Sequence, residues 1–168
     1  MALHDDLIVQ AKQLANRAPR HPRQASLRRA ISTAYYALFH ALVAEAVLIL
    51  APSTPSALRA WVGRTFVHGD MKKVCKGVGA GNPASVTGQL MSRPIDSRLA
   101  FVAKTFVDLQ EERHKADYDT IASFSRADVM LKITDVEQAL ASIQAIRGNP
   151  NTHVFLVALL FHEIWTRR

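Results

Sequence analysis

Apolar positions recur at helical spacing along almost the whole chain, and the densest repeat lies between Arg28 and Ile49. At about 100° per residue, Leu27, Ile31, Ala34, Tyr35, Leu38, Leu42, Ala46 and Ile49 fall in one stripe, which predicts a core-facing helix. The opposite face carries Arg29, Thr33, Tyr36, His40, Ala44 and Val47, polar toward its N-terminal end and apolar toward its C-terminal end. Two such faces predict a central helix whose second face meets further helices or a second copy of the chain. Gln24 to Ser26 starts it and Pro52 ends it.

The remaining elements follow from the same periodicity. Leu3, Leu7, Ala11 and Leu14 predict an amphipathic first helix that packs on one side, with Asp5 and Asp6 near its positive end and Pro19 and Pro22 after it. Ser53 caps a third helix with Pro55 in its first turn, continued by Leu58, Trp61, Val62, Thr65 and Phe66, with Gly69 as an interruption. Residues 77–95 hold most of the glycines together with Pro83 and Pro94 and predict a long flexible loop. Ser97 to about Lys115 is a fourth helix with Leu99, Val102, Phe106 and Leu109 on one stripe. Ser125 and Asp128 form a capping box that opens a fifth, with Val129, Ile133, Val136, Leu140, Ile143 and Ile146 facing inward and Gly148 as its stop. A sixth helix, over residues 152–168, is apolar on nearly all sides. No alternating run predicts a sheet, so the expectation is an all-α, antiparallel bundle of five or six helices in one domain spanning residues 1–168.

Composition narrows the partners and the setting. A chain of 168 residues buries a core without disulfides, and its one cysteine, Cys75, has no intramolecular partner, which suits a reducing cytoplasm. The longest uninterrupted apolar run, Val154 to Phe161, is too short to span a bilayer, and a soluble protein without a membrane partner is expected. The formal charge of +7 suits a polyanion. That charge is uneven: Arg17, Arg20, Arg23, Arg28 and Arg29 gather with His21, whereas Asp108, Glu111, Glu112, Asp117 and Asp119 gather later. The arginines read equally as a solvated helix start.

Familiar catalytic patterns are missing. The seven histidines are scattered without ligand spacing, so no metal and no cofactor are expected. Gly79, Gly81 and Ala84 spell a dinucleotide-like pattern, but no strand precedes them. No G-x-S-x-G occurs, and Cys75 has no histidine near it in sequence. Arg113 breaks the apolar periodicity by continuing the Leu99 to Leu109 stripe, so its guanidinium must be paired or point into a cleft or an interface. Asp117, four residues on, is the nearest partner.

Arg28-Arg29-Ala30-Ile31-Ser32 followed by Ala34-Tyr35-Tyr36-Ala37-Leu38-Phe39-His40-Ala41, together with Arg113 and Ala116-Asp117-Tyr118-Asp119, resembles the HEPN domain. The similarity is greatest to the branch with a tyrosine-rich second helix and an A-D-Y-D end. It covers roughly Asp5 to Arg147, with the glycine-rich stretch as an insert and the last helix outside it. The resemblance implies an antiparallel bundle that forms two-fold dimers with the site in the dimer groove. Many such domains are metal-independent endoribonucleases with histidine four to six residues after an arginine; others bind RNA or partner minimal nucleotidyltransferases. Here Tyr118 stands where that histidine would be, and a phenol with a pKa near 10 is a poor acid or base at neutral pH.

The chain is therefore expected to be a HEPN-like homodimer that binds RNA or a nucleotidyltransferase in a defence or toxin-antitoxin-like setting. The alternatives are an endoribonuclease and a structural interaction module that uses the sixth helix. Arg113, Tyr118 and His40 are the candidate catalytic residues, and Arg28, Arg29, Tyr36, His114 and Asp117 the candidate binding residues. Tyr36, His40 or Val47 would lie in the dimer interface, with Tyr36 or His40 approaching Arg113.

Overall fold

A computed structural model describes residues 2–18, 20–83 and 85–167, in which every regular element is an α-helix. The order is α1 (Leu3–Asn16), α2 (Gln24–Leu50), α3 (Ser56–Gly63), α4 (His68–Gly79), α5 (Ser85–Leu90), α6 (Ser97–Tyr118), α7 (Arg126–Ala145) and α8 (Pro150–Thr166). The all-α class holds, but the described residues form eight helices rather than five or six. Pro19, the expected stop of the first helix, and Ala84, the last member of the glycine pattern, lie outside the described residues.

The extra helices come from two places. The expected third helix divides into α3 and α4, because Thr65 donates its hydroxyl to the Val62 carbonyl (2.6 Å) at the end of α3 and Phe66 is buried in the link. Pro55, not Ser53, occupies the N-cap position of α3. The second place is the stretch 77–95, expected as one long loop. There α4 continues to Gly79, and Gly81, at φ 68°, turns the chain so that Asn82 N–H reaches the Gly77 carbonyl (2.9 Å). That left-handed position suits glycine, and it allows the last carbonyls of a helix to be satisfied. α5 follows, and Asn151 of α8 clasps Ser92 through both its amide oxygen (2.8 Å) and its amide nitrogen (2.7 Å). Breakers therefore divide this stretch into short elements without leaving it structureless.

The residues group into two compact units, Met1–His40 with Thr105–Ala141, and Ala41–Lys104 with Ser142–Arg168. In the first, Leu27, Ile31, Ala34, Tyr35 and Leu38 of α2 are buried, as are Phe106 and Leu109 of α6 and Val129, Ile133 and Val136 of α7. Lys12 of α1 pairs with Glu137 of α7 at 2.6 Å. At α7 Ser125 caps the helix, its hydroxyl accepting from the Asp128 N–H (3.1 Å) and donating to the Asp128 carboxylate (2.6 Å). In the second unit, α8 packs on α4 and α5, capped by the Asn149 side chain, and Arg147 donates from Nε to the buried carboxylate of Glu45 (2.8 Å). Val47, expected in an interface, is buried here and would touch a Cβ placed on Gly63.

By length and composition alone α2 could cross a membrane, a property that a count of uninterrupted apolar residues misses. Of its most apolar window, 61% is buried inside the fold.

Candidate nucleic-acid interface

The first unit holds the candidate residues, and α2 organises them. Arg29, Thr33, Tyr36 and His40 recur every three to four residues, so they share the face of α2 that the buried stripe leaves open. α1 supplies the facing wall. Its buried residues are Ile8, Ala11 and Ala15, so the helix is turned from the expected Leu3, Leu7, Ala11 and Leu14 face. Leu3, Leu7 and Leu14 instead join Gln10 and the α2 residues Arg29, Ser32, Thr33, Tyr36 and His40 around a groove of about 390 Å³. Its volume is that of a small ligand site. One wall is aliphatic, the other aromatic and cationic.

Behind this groove sits Arg113 of α6. Its Nε donates to Asp117 Oδ2 (3.0 Å), one turn along the helix, and its guanidinium lies over the rings of Tyr35 (5.3 Å) and Tyr36 (5.0 Å). The Ser32 hydroxyl donates to the other carboxylate oxygen of Asp117 (2.7 Å). Both partners of the pair keep about a quarter of their side-chain surface, at 22% and 24% exposed. The expected approach of Tyr36 to Arg113 is therefore made within one chain. His40 follows through Tyr36, on which its ring stacks at 6.3 Å.

Tyr118 does not share this site. α6 runs on through Tyr118 rather than ending near Lys115, and five residues of helix turn a side chain about 140° away. Tyr118 is 68% exposed and packs on His114, ring centroids 4.9 Å apart. Those two candidates form a separate aromatic pair on the outer face of α6.

Arg28 is also committed elsewhere. Its guanidinium donates to the carbonyls of Ala116 (2.9 Å), Asp119 (2.7 Å) and Ala122, and lies 5.5 Å from the Phe124 ring centre. Asp119 in turn accepts from the backbone N–H groups of Ile121 (2.9 Å) and Ala122 (3.0 Å), which hold its carboxyl below the usual range. Arg28 thus ties down the end of α6 and the turn after it. Arg17, Arg20, Arg23 and Arg29 are exposed and make no ion pair among the described residues.

Electrostatics distinguish His40 from the other candidates. Burial, with a smaller contribution from His4, lowers its pKa from the ordinary 6.5, so the ring is neutral at neutral pH and retains a lone pair. Cys75 is fully buried and its pKa is raised by desolvation, which makes it an inert thiol. No group of three or more His, Cys, Asp or Glu side chains among the described residues could hold a metal.

Leu3, Leu7, Gln10, Leu14, Ser32 and Thr33 line the groove but are not among the candidate site residues read from the sequence. Ser32 falls in the same α2 segment as Arg28 and Arg29, but its partner is 85 residues away. No protein-family model, curated protein or solved structure matches the chain.

Proposed function

We propose that this chain is a HEPN-like helical binding module, acting as a homodimer, that takes single-stranded RNA in the α1/α2 groove. The observation that carries this reading is that Arg29 and Tyr36 line one groove, a cation for phosphate beside an aromatic side chain against which a base packs. Exposed Arg17, Arg20 and Arg23 near the same end of α2 extend the positive surface. Arg113 acts indirectly. Paired with Asp117 and laid over two tyrosines, it fixes the Tyr36 ring at the groove wall. The dimer rests on the HEPN resemblance, which implies a site in the groove between two copies, and light scattering giving a monomer at micromolar concentration refutes it.

The binding test is a salt titration with a single-stranded RNA. If the four exposed arginines each neutralise a phosphate, a slope of about −0.7 per contact predicts about a fiftyfold loss of affinity between 50 and 200 mM salt. Salt-independent binding, or none, overturns the reading and favours a protein partner such as a nucleotidyltransferase.

His40 supports a second reading, that of a metal-independent endoribonuclease. A neutral imidazole in the same groove as Arg29 is a base that could take a ribose 2′-hydroxyl proton. Cleavage that survives EDTA and is lost in His40→Ala, with RNA still bound, distinguishes the enzyme from the binding module.

A further inference from the structure

The second unit contains a pocket that RNA binding does not use. α4, α5 and α8 line an open pocket of about 370 Å³, with Val74 and Pro83 as apolar wall together with the stems of Lys73 and Lys76. Two buried polar atoms lie among these surfaces without a hydrogen-bond partner from the described residues: Thr87 Oγ1, on a residue 2% exposed, and His162 Nδ1. An unpaired buried hydroxyl or ring nitrogen costs free energy unless something fills its place. Both residues line the same cavity, with these two atoms just beneath its wall.

The sign of the site follows from its charges. Among the described residues no carboxylate lines the pocket. Lys73 is held by Asp70 (3.1 Å) and Glu163 (3.1 Å), and Arg167 also binds Glu163, whereas Lys76 is exposed and makes no ion pair among the described residues. The helix end nearby does not repel an anion through open carbonyls, because the Lys76 and Gly77 oxygens already accept from Ala80 (3.1 Å) and Asn82 (2.9 Å) N–H groups. The pocket therefore has a hydroxyl donor and a ring nitrogen that donates in one tautomer just beneath its wall, and an exposed ammonium group beside them, around an apolar interior.

We infer that this pocket binds a small organic monoanion, an apolar body carrying one carboxylate, with its oxygens on Thr87 and His162 and its charge toward Lys76. The test uses the full chain, benzoate as probe and its neutral analogue benzamide, followed through the backbone amide NMR signals of Val74, Gly77 and Thr87. Saturable shifts with benzoate are expected, with affinity at least about tenfold weaker for benzamide and for the Thr87→Val and Lys76→Gln variants. Thr87→Val removes an unpartnered hydroxyl at nearly constant shape, so its melting temperature should equal or exceed the parent's; Lys76→Gln alters only an exposed side chain. Shifts that never saturate, equal affinity for benzamide, or parental affinity in both variants overturn the assignment.

Discussion

Replacing Arg28 separates a structural arginine from a binding arginine one residue away. In Arg28→Ala the carbonyls of Ala116, Asp119 and Ala122 lose their shared donor and the Phe124 ring loses its cation. Charge-assisted hydrogen bonds contribute about 1.5–3 kcal/mol each when their loss strands a buried group. These carbonyls lie at a helix end near the surface, where water replaces much of the lost bonding, so about 1 kcal/mol each is the better figure, with about 0.5 kcal/mol for the ring contact. The expected loss is about 3.5 kcal/mol in urea unfolding, or a fall of about 7–14 °C in melting temperature for a chain of this size. Arg28→Lys should recover roughly a third, since one ammonium cannot span three carbonyls in the fork of a guanidinium. Arg29→Ala should change stability by less than about 0.5 kcal/mol and weaken RNA binding. An Arg28→Ala variant that loses less than about 1 kcal/mol while abolishing RNA binding refutes the assignment of Arg28 as a tie.

Four further outcomes are expected. Arg113→Ala should cost about 1–2 kcal/mol in urea unfolding, not the 3–5 of a fully buried pair, because Asp117 remains held by Ser32 and part of the pair is solvated. His40 has its pKa lowered from 6.5 in the fold, so the unfolded chain takes up that proton first: its contribution is complete above pH 6.5 and is lost as pH falls below it. His40→Gln should therefore show a smaller drop in denaturation midpoint between pH 7 and 5 than the parent, and equal drops would contradict the assignment. Gly88→Ala places a Cβ against the Pro83 carbonyl oxygen and should lower stability by about 1–3 kcal/mol. Gly69→Ala, where a Cβ meets nothing within 4 Å, should raise it by about 0.4–1 kcal/mol; calorimetry reads both.

Local periodicity determined the helical class, the long α2 and its buried stripe, and the spacing that pairs Arg113 with Asp117. It also placed the Ser125–Asp128 cap and the last helix, although α8 starts at Pro150, two residues before the expected 152. These depend on interactions within one or two turns, so the order of residues contains them. Tertiary structure decided the rest. Arg28 looked like one member of a basic cluster until its carbonyl partners, 88 to 94 residues later, were brought beside it. α1 has leucines on one face, but packing chose Ile8, Ala11 and Ala15 for the interior and left Leu3, Leu7 and Leu14 to wall a groove. Val47 reads as part of an open face and is buried, while Leu48 beside it is 44% exposed. Tyr118 follows Arg113 closely in sequence, yet continuation of α6 turns it to another side. In each case the deciding contact is long-range or depends on where a helix stops, and apolar spacing along a single helix is silent on both.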